Sequence, residues 1–237
     1  MGLIADQFER AKQIYQTGGL WPLMRQAAVF TAGLLFLYQT YYVCANITEN
    51  VERLSKAAFT PRIDDFTLEI VSSNQQAEEL EARGCEFRSR VSNAIERLDK
   101  GAIAFCVFAG GELANLAWLA TTQQAQDSLN QPPISVDYSS NEAYTGGAWT
   151  HPKYRQAGLH SYNTFSRMEF SLRNGIVRNR YVVAKKNLAP QVADAKFGNV
   201  RYGEARLLKV LWWNSWRERP LSMEEQEATR QTNGLHS

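Results

Sequence analysis

A chain of 237 residues with 44% hydrophobic content can bury a sizeable core, which points to one domain with an N-terminal extension, or else two small domains. A net charge of +2 lacks the strongly basic balance of a dedicated nucleic-acid binder. The three cysteines Cys44, Cys85 and Cys106 form no CxxC pair, and no histidine has Cys or Glu at ligand spacing. Neither a disulfide scaffold nor a metal site is expected, and a reducing cytoplasm is the simplest compartment.

In chain order, residues 5–16 read as a helix carrying both charge signs, broken by Gly18-Gly19. From Gln26 through Thr48 there is no Asp, Glu, Lys or Arg, a length that nominally admits a membrane span. Gln26, Gln39, Thr40 and Asn46 interrupt it, and Tyr41-Tyr42-Val43-Cys44 is β-prone, which favours a helix feeding a strand of the fold. Trp21, Arg25 and the tyrosines also suit an interface, so peripheral membrane contact through residues 21–45 stays open beside the span.

From Phe66 the pattern is regular. Phe66–Val71 is a strand, and Ser73 with Gln76 makes a capping-box start to a helix ending near Gly84. A second helix carries Phe87, Val91, Ile95 and Leu98 on one face and stops at Gly101. Ile103–Ala109 and Leu113–Ala120 are apolar strands joined at Gly110-Gly111 as a hairpin. Residues 121–133 read as a loop, and Ile134–Tyr138 with Ala143–Thr150 as another strand pair, the second bulged at Gly146-Gly147. Leu159, Tyr162, Phe165, Met168 and Leu172 then mark one helix face. Arg180–Lys185 reads as a buried strand followed by Asn187, a helix runs from Pro190 to Lys196, and Ala205–Trp213 is a closing strand. Residues from 215 on are polar and read as a tail or surface helix.

The most informative stretch is Trp149 to His160, a strand that runs into a glycine-bearing turn opening a helix. A helix start carries unpaired N–H groups and the positive end of the dipole, which suits an anion. Arg155 adds donors and charge, and Gly158 lets a phosphate approach the backbone. Here the chain resembles the GCN5-related N-acetyltransferase superfamily, whose members hold the pyrophosphate of acetyl-CoA with Arg/Gln-x-x-Gly-x-Gly/Ala. The turn in this sequence is Arg155-Gln156-Ala157-Gly158-Leu159-His160, preceded by Pro152, with His160 where the family prefers Gly or Ala. Asn187 follows the next strand, and Phe197-Gly198 falls where members carry a Gly-Phe-like turn.

The resemblance covers residues 64–213. It implies an α/β (α+β) fold with a mixed, mostly antiparallel central sheet, flanking helices and strands splayed at the acyl-CoA site. Residues 1–63 would then be an N-terminal helical or apolar extension packing on or leading into the domain, residues 64–214 the acyltransferase domain, and residues 215–237 a polar tail. It implies an N-acyltransferase moving an acetyl or other acyl group from acyl-CoA to an amine, without a metal. The acceptor would be an amine-bearing small molecule or amino sugar, and a homodimer is compatible. Trp149, Thr150, Arg155, Gln156, Ala157, Gly158, Leu159, His160 and Asn187 are the implied cofactor-binding residues, with the Trp149 and Thr150 N–H groups polarising the thioester carbonyl. For the base, Glu142 comes first and Asp137 second. Where many relatives place a tyrosine as acid for the leaving thiolate, this chain has Asp194, with Tyr202 a nearby substitute. The loss of that tyrosine keeps a non-catalytic acyl-CoA-binding or structural protein as the alternative.

Overall fold

The computed structural model describes residues 36–129, 132–222 and 225–226. The helix expected at 5–16 and residues 26–35 of the uncharged stretch lie outside these. Two compact units divide the chain: residues 40–205 with 218–237, and residues 1–39 with 206–217. In the smaller unit the described residues are strand ends and a turn, with Phe36, Tyr38, Trp212 and Trp213 exposed.

The strands are β1 (Phe36–Ile47), β2 (Phe66–Val71), β3 (Ile103–Ala109), β4 (Glu112–Ala120), β5 (Glu142–Thr150), β6 (Arg178–Ala184), β7 (Val200–Val210) and β8 (Trp213–Pro220). Their order in one eight-stranded sheet is β2-β3-β4-β5-β6-β1-β7-β8. Neighbours from β2 to β5 pair antiparallel, as do β6 and β1, whereas β5 and β6 run parallel. The helices are α1 (Asn74–Ala82), α2 (Ala94–Asp99), α3 (Gln123–Ser128), α4 (Leu159–Arg173) and α5 (Leu188–Ala195). This is the mixed α/β architecture with a mostly antiparallel sheet that the resemblance implied.

Strand β1 is internal to the sheet, between β6 and β7, with Val43, Cys44 and Ala45 fully enclosed. A boundary at residue 63 therefore does not fall at a break in the sheet. The same burial removes residues 43–45 from any membrane contact, and among the described residues no helix is long and apolar enough to cross a membrane.

Helix α4 packs Phe165 and Met168 against Val51, Phe59 and Phe197, with Phe59 stacked between the two other phenylalanines at 5.3 and 4.8 Å. Each such side chain contributes about 1.5–3 kcal/mol of burial. At its start Leu159 packs against Val107, Ala109 and Ala114. The helix is thereby clamped across the sheet, which fixes where its N-terminus points.

Several elements depart from the sequence reading. The helix expected through Phe87 and Leu98 is a 3-10 turn, Arg88–Arg90, followed by α2, because Asn93 takes a left-handed conformation (φ 60) between them. The Thr121–Pro133 loop contains α3, capped by Thr122 Oγ1 accepting from Ala125 N–H. Residues 134–137 are not a strand; Ile134 is held instead by its carbonyl accepting from Gln126 Nε2 at 2.9 Å. The supposed tail begins with β8, so residues 213–220 extend the sheet.

Candidate functional site

Parallel pairing between β5 and β6 covers Glu142 with Arg178, Ala143 with Asn179 and Tyr144 with Arg180, then stops. Beyond it β5 runs on to Thr150 and β6 to Ala184. On its other edge β5 follows β4 until the register slips: Gly146 opposes Trp118, but Trp149 opposes Leu116. β5 thus carries one extra residue, the bulge anticipated from its glycines. Gly147 sits at φ +61, and a Cβ there would lie 2.9 Å from Trp118 Cδ1, on a fully buried ring. Only glycine fits without displacement.

Where the strands part, a cavity of about 540 Å³ opens. Thr145–Ala148 and Thr150 of β5 line one side and Tyr181–Ala184 of β6 the other. Helix α4 adds His160, Thr164 and Arg167; α5 adds Ala189, Pro190, Ala193 and Asp194; Tyr144, Asn46 and Asn187 complete the wall. The volume suits a small-molecule ligand.

Past Thr150, His151 caps a 3-10 turn, Pro152–Tyr154, with its Nδ1 accepting from Lys153 N–H at 3.2 Å. Gln156 (φ 66) and Gly158 (φ 82) then both take left-handed conformations before α4 begins. The turn is tied down by Arg62 N–H donating to the Ala157 carbonyl at 2.8 Å. Arg155, Gln156 and Gly158 are exposed at the helix start. Leu159 is a core side chain, so only its backbone is available to a ligand.

A buried polar chain leads inward from the end of β5. Asn115 Nδ2 donates to the Trp149 carbonyl (2.9 Å) and to Thr150 Oγ1 (2.8 Å), and Asn163 Nδ2 donates to Asn115 Oδ1 (2.7 Å). Arg167 Nε donates to Asn163 Oδ1 and its Nη2 to Thr164 Oγ1, both at 3.0 Å. Burial pulls this guanidinium down to about 10, so it stays charged at neutral pH. From α5, Asp194 is 5% exposed and meets His160 Nε2 at 3.4 Å. Tyr181 accepts from Asn199 Nδ2 at 2.9 Å and bonds to Asp194 as well. Burial and the neighbouring carboxylate hold its phenol well above the usual range, and therefore protonated.

Of the residues expected from the sequence, Thr150, His160, Asn187 and Asp194 line the cavity together. Trp149 and the turn from Arg155 to Leu159 sit just outside its lining. Glu142 is buried at the far end of β5, bound by Arg178 (3.3 Å), Arg180 (3.4 Å) and the Asp137 N–H (3.1 Å). It is not part of the cavity wall, and those donors occupy the oxygens a base would need. Asp137 caps its own turn, accepting from Ser139 and Ser140, whose hydroxyls hold it below the usual carboxylate range. Tyr202 lies under the Arg180 guanidinium at 5.0 Å, again outside the wall. Asn46, Arg167 and Tyr181 were not singled out from the sequence. The signal was there in α4, where His160, Thr164, Arg167 and Ser171 recur at helical spacing beside the apolar stripe. Among the described residues no cluster of three or more His, Cys, Asp or Glu is arranged to hold a metal.

The course of the chain is similar to that of several solved structures. A Drosophila protein aligns over 79% of this chain and 56% of its own at 12% identity, with a TM-score of 0.46. A GCN5-related N-acetyltransferase-like protein from Streptococcus suis aligns over 85% and 69% at 13% identity and 0.46. For a GCN5-related N-acetyltransferase from Kribbella flavida the values are 77%, 63%, 12% and 0.45. Most of the similar structures bear that family name. This chain spans between just over half and about two thirds of the length of these three. At such identities and TM-scores the likeness carries no argument about chemistry. No family model and no curated protein matches the chain.

Proposed function

We propose that this chain is an acyl-CoA-dependent N-acyltransferase, moving an acetyl or other acyl group to an amine. The observation that carries the reading is the parting of β5 from β6 beside the N-terminus of α4, which joins an anion-binding turn to a cavity between two strands. The pyrophosphate would lie on the N–H groups of the turn and on Arg155, where anionic oxygens meet the helix dipole. The pantetheine arm would pass between the unpaired edges of β5 and β6, towards Asp194 and Tyr181.

In the reaction the amine nitrogen bonds the acyl carbon, the C–S bond breaks, and sulfur takes up a proton. Tyr181 is the fitting donor: it lines the cavity and carries its proton at neutral pH. Asp194, backed by His160, is placed to take the proton that the amine must lose. With Tyr181 as the donor, this reading gives Asp194 the role of base in place of the acid its position in the resemblance implies.

Calorimetric titration with acetyl-CoA and CoA tests the reading, together with thiol release in the presence of amines. Arg155→Ala is expected to weaken CoA binding about ten-fold, a charge-assisted phosphate contact being worth about 1.5–3 kcal/mol. Unchanged affinity removes the turn as the pyrophosphate site. Tight CoA binding with no thiol release favours a binding protein on the same fold.

A further inference from the structure

The inner end of the cavity holds two buried groups of opposite charge on different helices, Arg167 of α4 and Asp194 of α5. Arg167 hydrogen-bonds neutral oxygens of Asn163 and Thr164, while Asp194 meets His160 and Tyr181. Each charge therefore faces the cavity beside the other with its own set of partners. Asn46, 4% exposed and lining the same cavity, presents an Oδ1 without a hydrogen-bond partner. A buried acceptor left unpaired costs about 1–3 kcal/mol, and a buried guanidinium is tolerated only when well compensated.

We propose that this end of the cavity binds the acceptor as a small zwitterionic amino acid, its carboxylate on Arg167 and its amine towards Asp194 and Asn46. The proposal rests on the acyl-transfer reading above and names the acceptor class. A purely anionic ligand meets Arg167 but is repelled by Asp194. A simple amine meets Asp194 and leaves the guanidinium without its fork-shaped partner. An amino acid satisfies both and adds no net charge to the site. It also delivers the nucleophile: the ammonium gives one proton to Asp194, and the freed nitrogen bonds the acyl carbon. As the C–S bond breaks, sulfur takes a proton from Tyr181, and the second proton of the amine restores the phenol. The products are an amide, CoA thiol and one proton released to solvent.

The full chain is titrated calorimetrically, with and without CoA, using the common amino acids one by one. Each is compared with the amine lacking its carboxylate and the acid lacking its amine, such as alanine against ethylamine and propionate. At least one amino acid is expected to bind about ten-fold more tightly than both of its halves, and to release thiol from acetyl-CoA. Arg167→Lys and Asn46→Ala should abolish that preference while CoA affinity is kept. If Arg167→Lys does not fold, Asn46→Ala and the wild-type panel decide alone. Equal binding of amines and amino acids, or no amino-acid binding, overturns the proposal whatever CoA does. Failure of CoA to bind overturns the acyl-transfer reading separately, since the titrations without CoA still report on Arg167 and Asp194.

Discussion

The Tyr181 phenol is enclosed between Asn199 and Asp194, while Tyr202 stacks under Arg180 outside the cavity. Removing each hydroxyl separates chemistry from packing. Tyr181→Phe is expected to lower kcat by about 10²-fold or more with CoA affinity retained, the usual scale of a positioned proton donor. Tyr202→Phe should change neither. Equal effects would remove Tyr181 from the reaction. The thiol-release assay has a favourable background. Burial pushes the Cys44 thiol up to about 12, Cys106 is driven up as well, and only Cys85 is partly exposed. A thiol reagent is expected to modify at most Cys85 in the native protein and all three cysteines after denaturation. Fast native reaction of a second thiol would contradict the burial of Cys44 and Cys106.

At the scale of elements, α1 is pinned from outside its own sequence. Arg88 donates through Nε and Nη2 to the two oxygens of Glu81, each at 2.6 Å. These bonds hold the Glu81 carboxyl below its usual value of 4.5, so the stabilisation is present above that pH and is lost as pH falls through the lower, folded-state value. Arg88→Met should lower Tm by about 1–3 °C at pH 7, small because both side chains are partly exposed. The gap should narrow steadily in melts taken at successively lower pH below 4.5. A gap that does not change with pH would mean Arg88 acts through packing. The same region explains what the sequence concealed. The capping residues Ser73 and Gln76 were legible because a cap is a local bargain between neighbours. The break at Asn93 was not, since an apolar spacing of Val91, Ile95 and Leu98 looks continuous until the left-handed residue is seen. Likewise the phosphate-type turn could be read from Arg155 and Gly158, but Asn46 and Tyr181 become site residues only through the pairing of β1 with β6.

For the whole molecule the decisive feature is that an early strand completes the sheet. Cys44 sits opposite Tyr181 and Val43 opposite Val182, and Thr48 is tied to the carbonyls of Val177 and Ile176. A fragment beginning at residue 64 loses β1 and Phe59, leaving the edge of β6 unpaired and the α4 cluster without its central ring. It is expected to show no cooperative thermal transition, in contrast to the full chain; a sharp melt in the fragment would mean that β1 is dispensable.

That arrangement also imposes an order on synthesis. β1 leaves the ribosome well before its partner β6, which ends at Ala184, so about 140 residues must follow before the two can meet. At roughly 5–20 residues per second the strand waits about 7–30 s with its backbone groups unclaimed. During that interval an apolar strand without a partner is a template for the wrong neighbour. Closing so long a loop also places this protein among those whose folding is slowed by distant contacts. Its yield in a cell should therefore depend on how well nascent chains are shielded until β6 emerges.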